Sequence, residues 1–531
     1  MGRRSQSLIN ASPAILLLTA GLLIPLLAVL RLTSTLTAQK AVEIIAGNSD
    51  AIFYTIIQAT ASTIGALALG IPAAYLLARR RLPFHNVIRA ATLTPFVVPS
   101  ILVSLSFALF FGNNGLLNRA LMSALNLTSP PLPILYGFWT IILAHTVYNF
   151  PAVARFVSDS WERADASTQE AAETLGASKW TIFRKITFPH IKGSLLSISV
   201  LVFTYCALSF AIPLTLGGIK YGTIEVAIYQ TVTRDLNPAA GALLSLLQAA
   251  FLIAFSTLTL STQRTLTFTG KTNYREKLPL KINRNNIWVI PYALLITLIT
   301  LGPAASVIAY SLTANNGQPT LTWYQQIIGL TPQSAIGAGG LIAIRNTLLI
   351  GISAATLAVI AGFSLAVARK THPTLARTIT YAPVAFSTVT LGLGFLLTYP
   401  TGRWWTIAFA HAVIALPFTA RILTHALENL PPAYAEAAET LGANRKLLAR
   451  KITLPLLTPS VITAGSFAFA VSAGELAAVS LLSDGAWPTM PVYIYRFLAS
   501  RQPHGAAAMG VTLALITLAA LIVIEKADNK K

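Results

Sequence analysis

The sequence has 531 residues, of which 54% are apolar and only 10% are charged, and its mean hydropathy is +0.66. Soluble domains carry about 25% charged residues, so this composition argues against a soluble enzyme, and at this hydropathy the net charge of +21 does not indicate a nucleic-acid partner. The single cysteine, Cys206, excludes an internal disulfide framework and a four-cysteine metal site.

Twelve apolar stretches along the chain are long enough to cross a bilayer. A hydrocarbon core of ~30 Å requires about 20 mostly apolar residues in a helix. The stretches are 13–30, 53–78, 88–111, 133–154, 194–216, 239–262, 287–311, 346–368, 378–399, 404–427, 458–482 and 505–524. We therefore predict an all-α polytopic membrane protein with about 12 transmembrane helices embedded in a lipid bilayer.

The first stretch follows two basic residues, Arg3 and Arg4, as a secretory signal peptide would. No convincing small-residue cleavage site follows it, and eleven further apolar stretches do. These features favour an uncleaved signal anchor as the first span.

The basic residues divide unequally between the two sides of the predicted membrane. Of the 38 Lys and Arg residues, 29 lie in the two termini and in the loops after spans 2, 4, 6, 8 and 10, whereas 9 lie on the other side. Loops rich in Lys and Arg remain in the cytoplasm. Both termini are therefore predicted to be cytoplasmic.

A polar, basic segment at 263–286 separates six spans in 1–262 from six spans in 287–531. We interpret it as a cytoplasmic linker between two membrane domains. The linker contains Gly270-Lys271-Thr272, but a phosphate-binding P-loop requires glycine at position 265, which is Thr265. The triplet is therefore interpreted as a chance match.

The two halves are internal repeats of each other. The octapeptide EAAETLGA occurs at 170–177 and again at 436–443, an offset of 266, and the same offset relates Pro189 to Pro455. Because each half has six spans, both copies keep the same orientation and form a parallel repeat. The best-matched segment is the predicted cytoplasmic loop between the fourth and fifth spans of each half.

Each of these loops is expected to form two short helices at an angle. Glu, Ala and Leu favour helix formation, Ser167 and Glu170 have the spacing of a capping box, and Pro431-Pro432 suits the start of the second copy. Gly176 and Gly442 permit a sharp turn. Two short helices that project in this way would fit a groove on a partner protein. The alternative is a helix that only anchors the loop at the membrane surface.

The pattern in each copy is Glu-Ala-Ala, three residues, Gly, nine residues, Ile, one residue, an apolar residue and Pro. It resembles the EAA loop of the membrane subunits of bacterial ABC importers, in which this loop is the coupling helix seated on the ATPase subunit. Phe188 in place of Leu is the only departure. The resemblance implies ATPase-coupling roles for Glu170, Ala171, Ala172, Gly176, Ile186, Pro189, Glu436, Ala437, Ala438, Gly442, Ile452 and Pro455.

The fused twelve-span arrangement is similar to the permeases of iron(III) and thiamine importers. The resemblance implies an inner-membrane transport subunit that is not itself an enzyme and binds no cofactor. Its expected partners are two ABC ATPase subunits on the cytoplasmic face, which would hold ATP and Mg²⁺, and a periplasmic or lipid-anchored solute-binding protein outside. Iron(III) and thiamine are equally favoured as solutes, and other small anions or amino acids remain open.

Glu475 lies within the eleventh predicted span, where a carboxylate is costly. It is a candidate pathway residue together with its repeat partner Ser209, and a structural carboxylate is an equally good interpretation. For the repeat-related His145 and His411, buried helix packing is favoured over a position on the pathway.

An ion-coupled secondary transporter with two parallel six-helix halves is the alternative function. That class predicts charged relays within the spans, whereas Glu475 is the only acid in a predicted span. No catalytic constellation or metal-ligand spacing is recognisable, so neither a catalytic nor a metal site is predicted.

Overall fold

The computed structural model describes residues 3–83, 88–89, 98–163, 166–218, 220–263, 277–280, 287–330, 339–369 and 371–528. These residues are almost entirely helical. Two-residue strands, β1 (Arg80–Arg81) and β2 (Leu278–Pro279), pair in parallel. The prediction of an all-α membrane protein is confirmed, and most of the predicted linker 263–286 lies outside the described residues.

Thirteen helices precede the linker in the described part of the chain. They are α1 (Arg3–Leu18), α2 (Ile24–Thr33), α3 (Ala38–Gly47), α4 (Ser49–Arg79), α5 (Ser100–Phe111), α6 (Leu116–Leu125), α7 (Phe138–Glu162), α8 (Ala166–Thr174), α9 (Lys179–Ile182), α10 (Phe188–Ala207), α11 (Ala211–Leu216), α12 (Ile224–Thr233) and α13 (Pro238–Gln263). A π-helical turn, Thr19–Leu23, joins α1 to α2.

Twelve helices follow the linker in the described residues. They are α14 (Val289–Ser311), α15 (Thr322–Ile327), α16 (Gly340–Ala368), α17 (Pro373–Tyr381), α18 (Thr388–Thr398), α19 (Trp404–Glu428), α20 (Pro432–Thr440), α21 (Arg445–Leu448), α22 (Leu454–Ala473), α23 (Ala477–Leu482), α24 (Met490–Ala499) and α25 (Pro503–Asp528).

The number of spans differs from the prediction of about twelve. Ten helical segments in the described residues are long and apolar enough to cross a membrane, and a pair bent by 94°, Pro373–Ala385 with Thr388–Thr398, raises the number to eleven. The fourth predicted span, 133–154, corresponds to α7, which has 25 residues but is not among the ten. Polar residues within α7, among them His145, Asn149 and Arg155, lower its apolar character. The third predicted span, 88–111, lies partly outside the described residues.

The ends of α4, α7 and α8 meet at one end of the bundle, which we call the loop end. The guanidinium of Arg79 donates a hydrogen bond to Gln169 (Nη2–Oε1, 2.9 Å). Lys277, in the described part of the linker, forms an ion pair with Glu162 (2.8 Å). These contacts place the linker strand and the first EAA loop at the same end.

The first long helix of each half packs on the opposite half. Helix α1 packs on α16 and α2 on α18, whereas α14 packs on α5. The hydroxyl of Tyr399 donates to the carbonyl of Ala20 (2.7 Å), and that of Tyr292 donates to the carbonyl of Leu69 (2.6 Å). The two halves are therefore interlocked by an exchange of their first spans.

Within each half, one close helix pair leads to the EAA loop. These pairs are α4 with α7 and, in the second half, α16 with α19. A Cβ at Gly70 would lie 2.6 Å from Val153, and one at Gly362 would lie 2.6 Å from Thr419. Small residues allow such close approach of membrane helices, so each loop is attached to a tightly packed pair.

Candidate coupling loops and central seam

The first EAA loop is a helix–glycine–helix turn at the loop end. Helix α8 ends with a Schellman motif, in which the N–H of Ala177 donates to Ala172 O and that of Gly176 donates to Glu173 O, both at 3.0 Å. Gly176 has a φ of +78°, a left-handed conformation that explains why glycine occupies this position. The hydroxyl of Ser178 then caps α9 by accepting the N–H of Thr181 (3.2 Å).

The second EAA loop repeats this geometry. The N–H of Ala443 donates to Ala438 O (2.9 Å), and Gly442 has a φ of +81°. Helix α20 begins at Pro432, with Pro431 at its N-cap, as the sequence indicated. In the first copy α8 begins at Ala166, and the side chain of Ser167, the predicted cap, is outside the described residues.

Both loops present an apolar side chain at their tip. Leu175 is 87% exposed and Leu441 is 89% exposed, although both are large apolar residues. A Cβ built at Gly176 or Gly442 would meet no atom within 4 Å. Within the described residues, therefore, neither loop tip is covered by other parts of the chain, and the two tips have the same exposed arrangement.

The other residues predicted for coupling divide into an exposed and an anchored group. Exposed positions are Glu170, Ala171, Pro189, Glu436, Ala437 and Pro455. Ala172, Ile186 and Ile452 are half-buried, and Ala438 is buried. The structure brings each set together in one loop, and the coupling role itself stays a prediction.

Each loop continues into the following long helix without a break. Ile186 lies in a π-helical turn, Phe183–Thr187, that leads directly into α10. Ile452 lies in the equivalent turn, Ala449–Thr453, that leads into α22. Because π-helical turns often occur at functional sites, their recurrence in both copies marks the junction between loop and long helix.

Glu475 lies in the break between α22 and α23, where it caps α23. Its carboxylate accepts the N–H groups of Ala477 (2.9 Å) and Ala478 (3.0 Å), and Nε2 of His411 is 3.4 Å away. These contacts support the structural interpretation. Ser209 occupies the equivalent break between α10 and α11 and is half-buried. A pathway role for either residue stays a prediction.

The two repeat-related histidines are buried and join helices. Nδ1 of His145 is 3.0 Å from Oε1 of Gln58, whose amide donates to the carbonyl of Cys206 (2.8 Å). Nδ1 of His411 is 2.7 Å from the hydroxyl of Ser472. Each histidine therefore ties its helix to the end of α10 or α22, as expected for a packing role.

Glu225 is a candidate site residue that the sequence interpretation missed. Its position between two spans predicted an outside loop, but it is 0% exposed in the first turn of α12. Gln248 of the first half and Ser387 of the second half lie beside its carboxyl group, and Glu475 is close enough to interact electrostatically. The sequence feature that could have indicated its burial is the position of this acid within the apolar run 224–228. We call the meeting place of these side chains the central seam.

Repeat-related tyrosines lie on α12 and α24. Tyr229 and Tyr495 are half-buried, and the ring of Tyr229 meets that of Phe210 edge-on, with 5.2 Å between the ring centroids. Burial, and secondly the neighbouring Tyr229, raise the pKa of Tyr495 above its usual value.

The sequence profile of the family described as "Binding-protein-dependent transport system inner membrane component" matches residues 66–267 and 354–530. The chain belongs to this family. The family domain occurs twice, so the chain is a fused permease of an ABC importer and a multi-pass membrane protein. One EAA loop lies in each matched range.

Curated relatives match along most of the chain. The thiamine transport system permease protein ThiP of Brucella suis is 29% identical over 506 residues, covering 89% of this chain and 87% of the relative. ThiP of Escherichia coli is 26% identical, covering 88% and 87%. A probable ABC transporter permease, y4fN of Sinorhizobium fredii, is 24% identical, covering 90% and 87%.

Proposed function

We propose that the chain forms the pathway of an ATP-driven, binding-protein-dependent importer of thiamine. The observation that carries the transport mechanism is the pair of matched loops, each with an exposed leucine and a left-handed glycine. Thiamine is favoured over iron(III) because relatives named for thiamine transport match along 88–89% of the chain.

In this proposal one ATPase subunit docks on each loop from the cytoplasm. Leu175 and Leu441 enter an apolar groove on the ATPase, because burying an exposed leucine contributes about 1.5–3 kcal/mol of attraction. The acids Glu170 and Glu436 flank these tips and orient the contact. ATP is bound and hydrolysed by the partner subunits, and this chain supplies no catalytic group.

Closure of the two ATPases draws the loops together. The movement passes through the continuous π-helical turns into α10 and α22, and through the Arg79–Gln169 hydrogen bond into α4. Each EAA loop therefore moves with its own half of the bundle. The halves rock against each other, and the central seam opens alternately to either side.

A loaded solute-binding protein docks at the opposite end of the bundle, near α12 and α24. This orientation places both termini and the loop end in the cytoplasm, in agreement with the excess of Lys and Arg there. Release of the solute into the opened seam completes import.

The test is uptake into vesicles that contain the full chain with a cognate ATPase and binding protein. We expect thiamine uptake that requires ATP, is blocked by vanadate and persists with a protonophore. Uptake of iron(III) in place of thiamine would overturn the solute assignment. Uptake that resists vanadate and stops with a protonophore would instead identify an ion-coupled secondary transporter.

A further inference from the structure

A buried carboxyl group without an ion-pair partner lies at the contact between the two halves. Glu225 on α12 is 0% exposed, and its nearest polar neighbours are the uncharged side chains of Gln248 and Ser387. The side chains beside it, Gln248 on α13 and Ser387 before α18, come from different halves. This cluster of side chains therefore forms only where the two halves are in contact.

This carboxyl group has no opposite charge to balance it. Its neighbours along α12, Ile224 and Val226, are buried apolar residues. No Lys, Arg or His in the part of the chain that the structure describes forms an ion pair with it. An ionised carboxylate is strongly disfavoured in apolar surroundings unless it is paired. Glu225 therefore requires either a proton or a cationic partner from outside the chain.

The polar groups around Glu225 supply no positive charge. The amide nitrogen of Gln248 is directed to Ala207 O (3.2 Å), and its Oε1 has no partner among the described residues. The carboxylate of Glu475 adds a second negative charge nearby. The cluster thus offers acceptors and negative charge, which complement a ligand that is positively charged.

An aromatic surface accompanies the carboxyl group. Tyr229 is four residues after Glu225 on α12, so both side chains lie on the same face of the helix. Tyr229 is half-buried and contacts Phe210 edge-on. Aromatic rings attract cations through their π-faces, so the combination suits a ring-shaped cation better than a small inorganic one.

Resting on the proposed function, we propose that Glu225 is the residue in the central seam that binds the permanent positive charge of a heteroaromatic cation, the thiazolium class. Gln248 and Tyr229 position the rings, and Glu475 strengthens the negative field while it caps α23. The carboxylate then gains its missing partner each time a solute passes.

The test measures equilibrium binding to the full chain with its ATPases in lipid nanodiscs, trapped with ATP and vanadate. The probes are thiamine and its uncharged isostere, in which a thiophene replaces the thiazolium ring. We expect the wild type to bind thiamine at least about tenfold more tightly than the isostere, because only thiamine offers a positive charge to the buried carboxylate. Glu225→Gln keeps the shape but removes the charge, so this preference should disappear.

Two further variants keep the proposal falsifiable if Glu225→Gln disturbs folding. The double variant Glu225→Gln/Gln248→Glu returns a carboxylate to the cluster and should restore the preference for thiamine. Glu43→Gln, an exposed acid on α3, should leave it unchanged.

Equal preference in the wild type and in Glu225→Gln would overturn this assignment and identify Glu225 as a protonated structural group. Absence of thiamine binding to the trapped wild type would do the same. Either result would leave the proposed function intact if the vesicles take up thiamine, whereas vesicles without thiamine uptake would overturn the proposed function and this assignment together.

Discussion

Glu475 illustrates, at the scale of a residue, how a carboxylate is accommodated deep in an apolar bundle. Its two oxygens accept hydrogen bonds from the first N–H groups of α23, and His411 lies 3.4 Å away. Free N–H groups at a helix start form a site of partial positive charge. The N-terminal end of α23 therefore stabilises the Glu475 carboxylate, which is unexpected in an apolar span if only hydropathy is considered.

This role predicts a loss of stability when the carboxylate is removed. Glu475→Ala leaves the first N–H groups of α23 without acceptors and should cost about 0.5–2 kcal/mol, the usual range for a lost helix cap. Glu475→Gln keeps one acceptor oxygen and should cost less. The measurement is the midpoint of thermal unfolding of the purified protein in detergent.

The exposed acid Glu43 provides the control, because Glu43→Ala removes a carboxylate that caps no helix. An unchanged midpoint for Glu475→Ala, together with a loss of uptake, would contradict the capping role and favour the pathway interpretation.

At the scale of an element, the EAA loops combine a fixed backbone with an uncovered tip. Glycine is needed at Gly442 because its φ is +81°, yet the space around it is empty. A side chain added there is therefore expected to obstruct a partner rather than the chain's own packing.

Gly442→Asp should consequently weaken co-purification of the ATPase and abolish ATP-driven uptake while the membrane fold is retained. A non-glycine residue at positive φ adds about 1–2 kcal/mol of local backbone strain, so the control must carry the same strain. Gly317→Asp does so, since Gly317 has a φ of +82° and open surroundings in the loop between α14 and α15. Normal ATPase binding by Gly442→Asp would count against the coupling assignment.

The loops were predictable from sequence because their structure is local. The capping pattern, the helix formers and the glycine lie within about ten residues, and the repeat supplied an independent copy. Whether α7 crosses the membrane stays a prediction, since its internal polar residues keep it out of the ten long apolar helices of the described chain. The burial of Glu225 was not predictable, since it depends on Gln248 and on Ser387, which are distant in sequence.

At the scale of the whole molecule, the exchanged first spans make the halves dependent on each other. Helices α1 and α2 pack on α16 and α18, and α14 packs on α5. Pro25 on α2 lies so close to Gly394 on α18 that a Cβ built at Gly394 would be 2.8 Å from Cβ of Pro25 and 3.0 Å from its backbone carbonyl. The domain boundary in the sequence therefore does not coincide with a boundary in the packing.

Splitting the chain tests this dependence. The fragments 1–270 and 271–531, produced together, should co-purify and support uptake, because the contacts between halves do not require a covalent linker. The fragment 271–531 produced alone should aggregate or be degraded, because α16 and α18 then lack α1 and α2. Size-exclusion chromatography and proteolysis of the purified fragments provide the measurements.

Co-production of fragment 35–270 with 271–531 is the matched control, since it removes only α1 and α2. It should assemble less stably than the intact pair. A monodisperse, protease-resistant 271–531 fragment on its own would show that the exchange contributes little to stability.

The same exchange has a consequence for biosynthesis. The contact between Ala20 and Tyr399 joins positions 379 residues apart, which at roughly 5–20 residues per second corresponds to roughly 20–75 s of translation. The first helix to leave the ribosome thus enters the bilayer long before its packing partners have been made. Insertion into the bilayer follows the order of synthesis, but the first helix reaches its packed position only after the chain has been made as far as Tyr399.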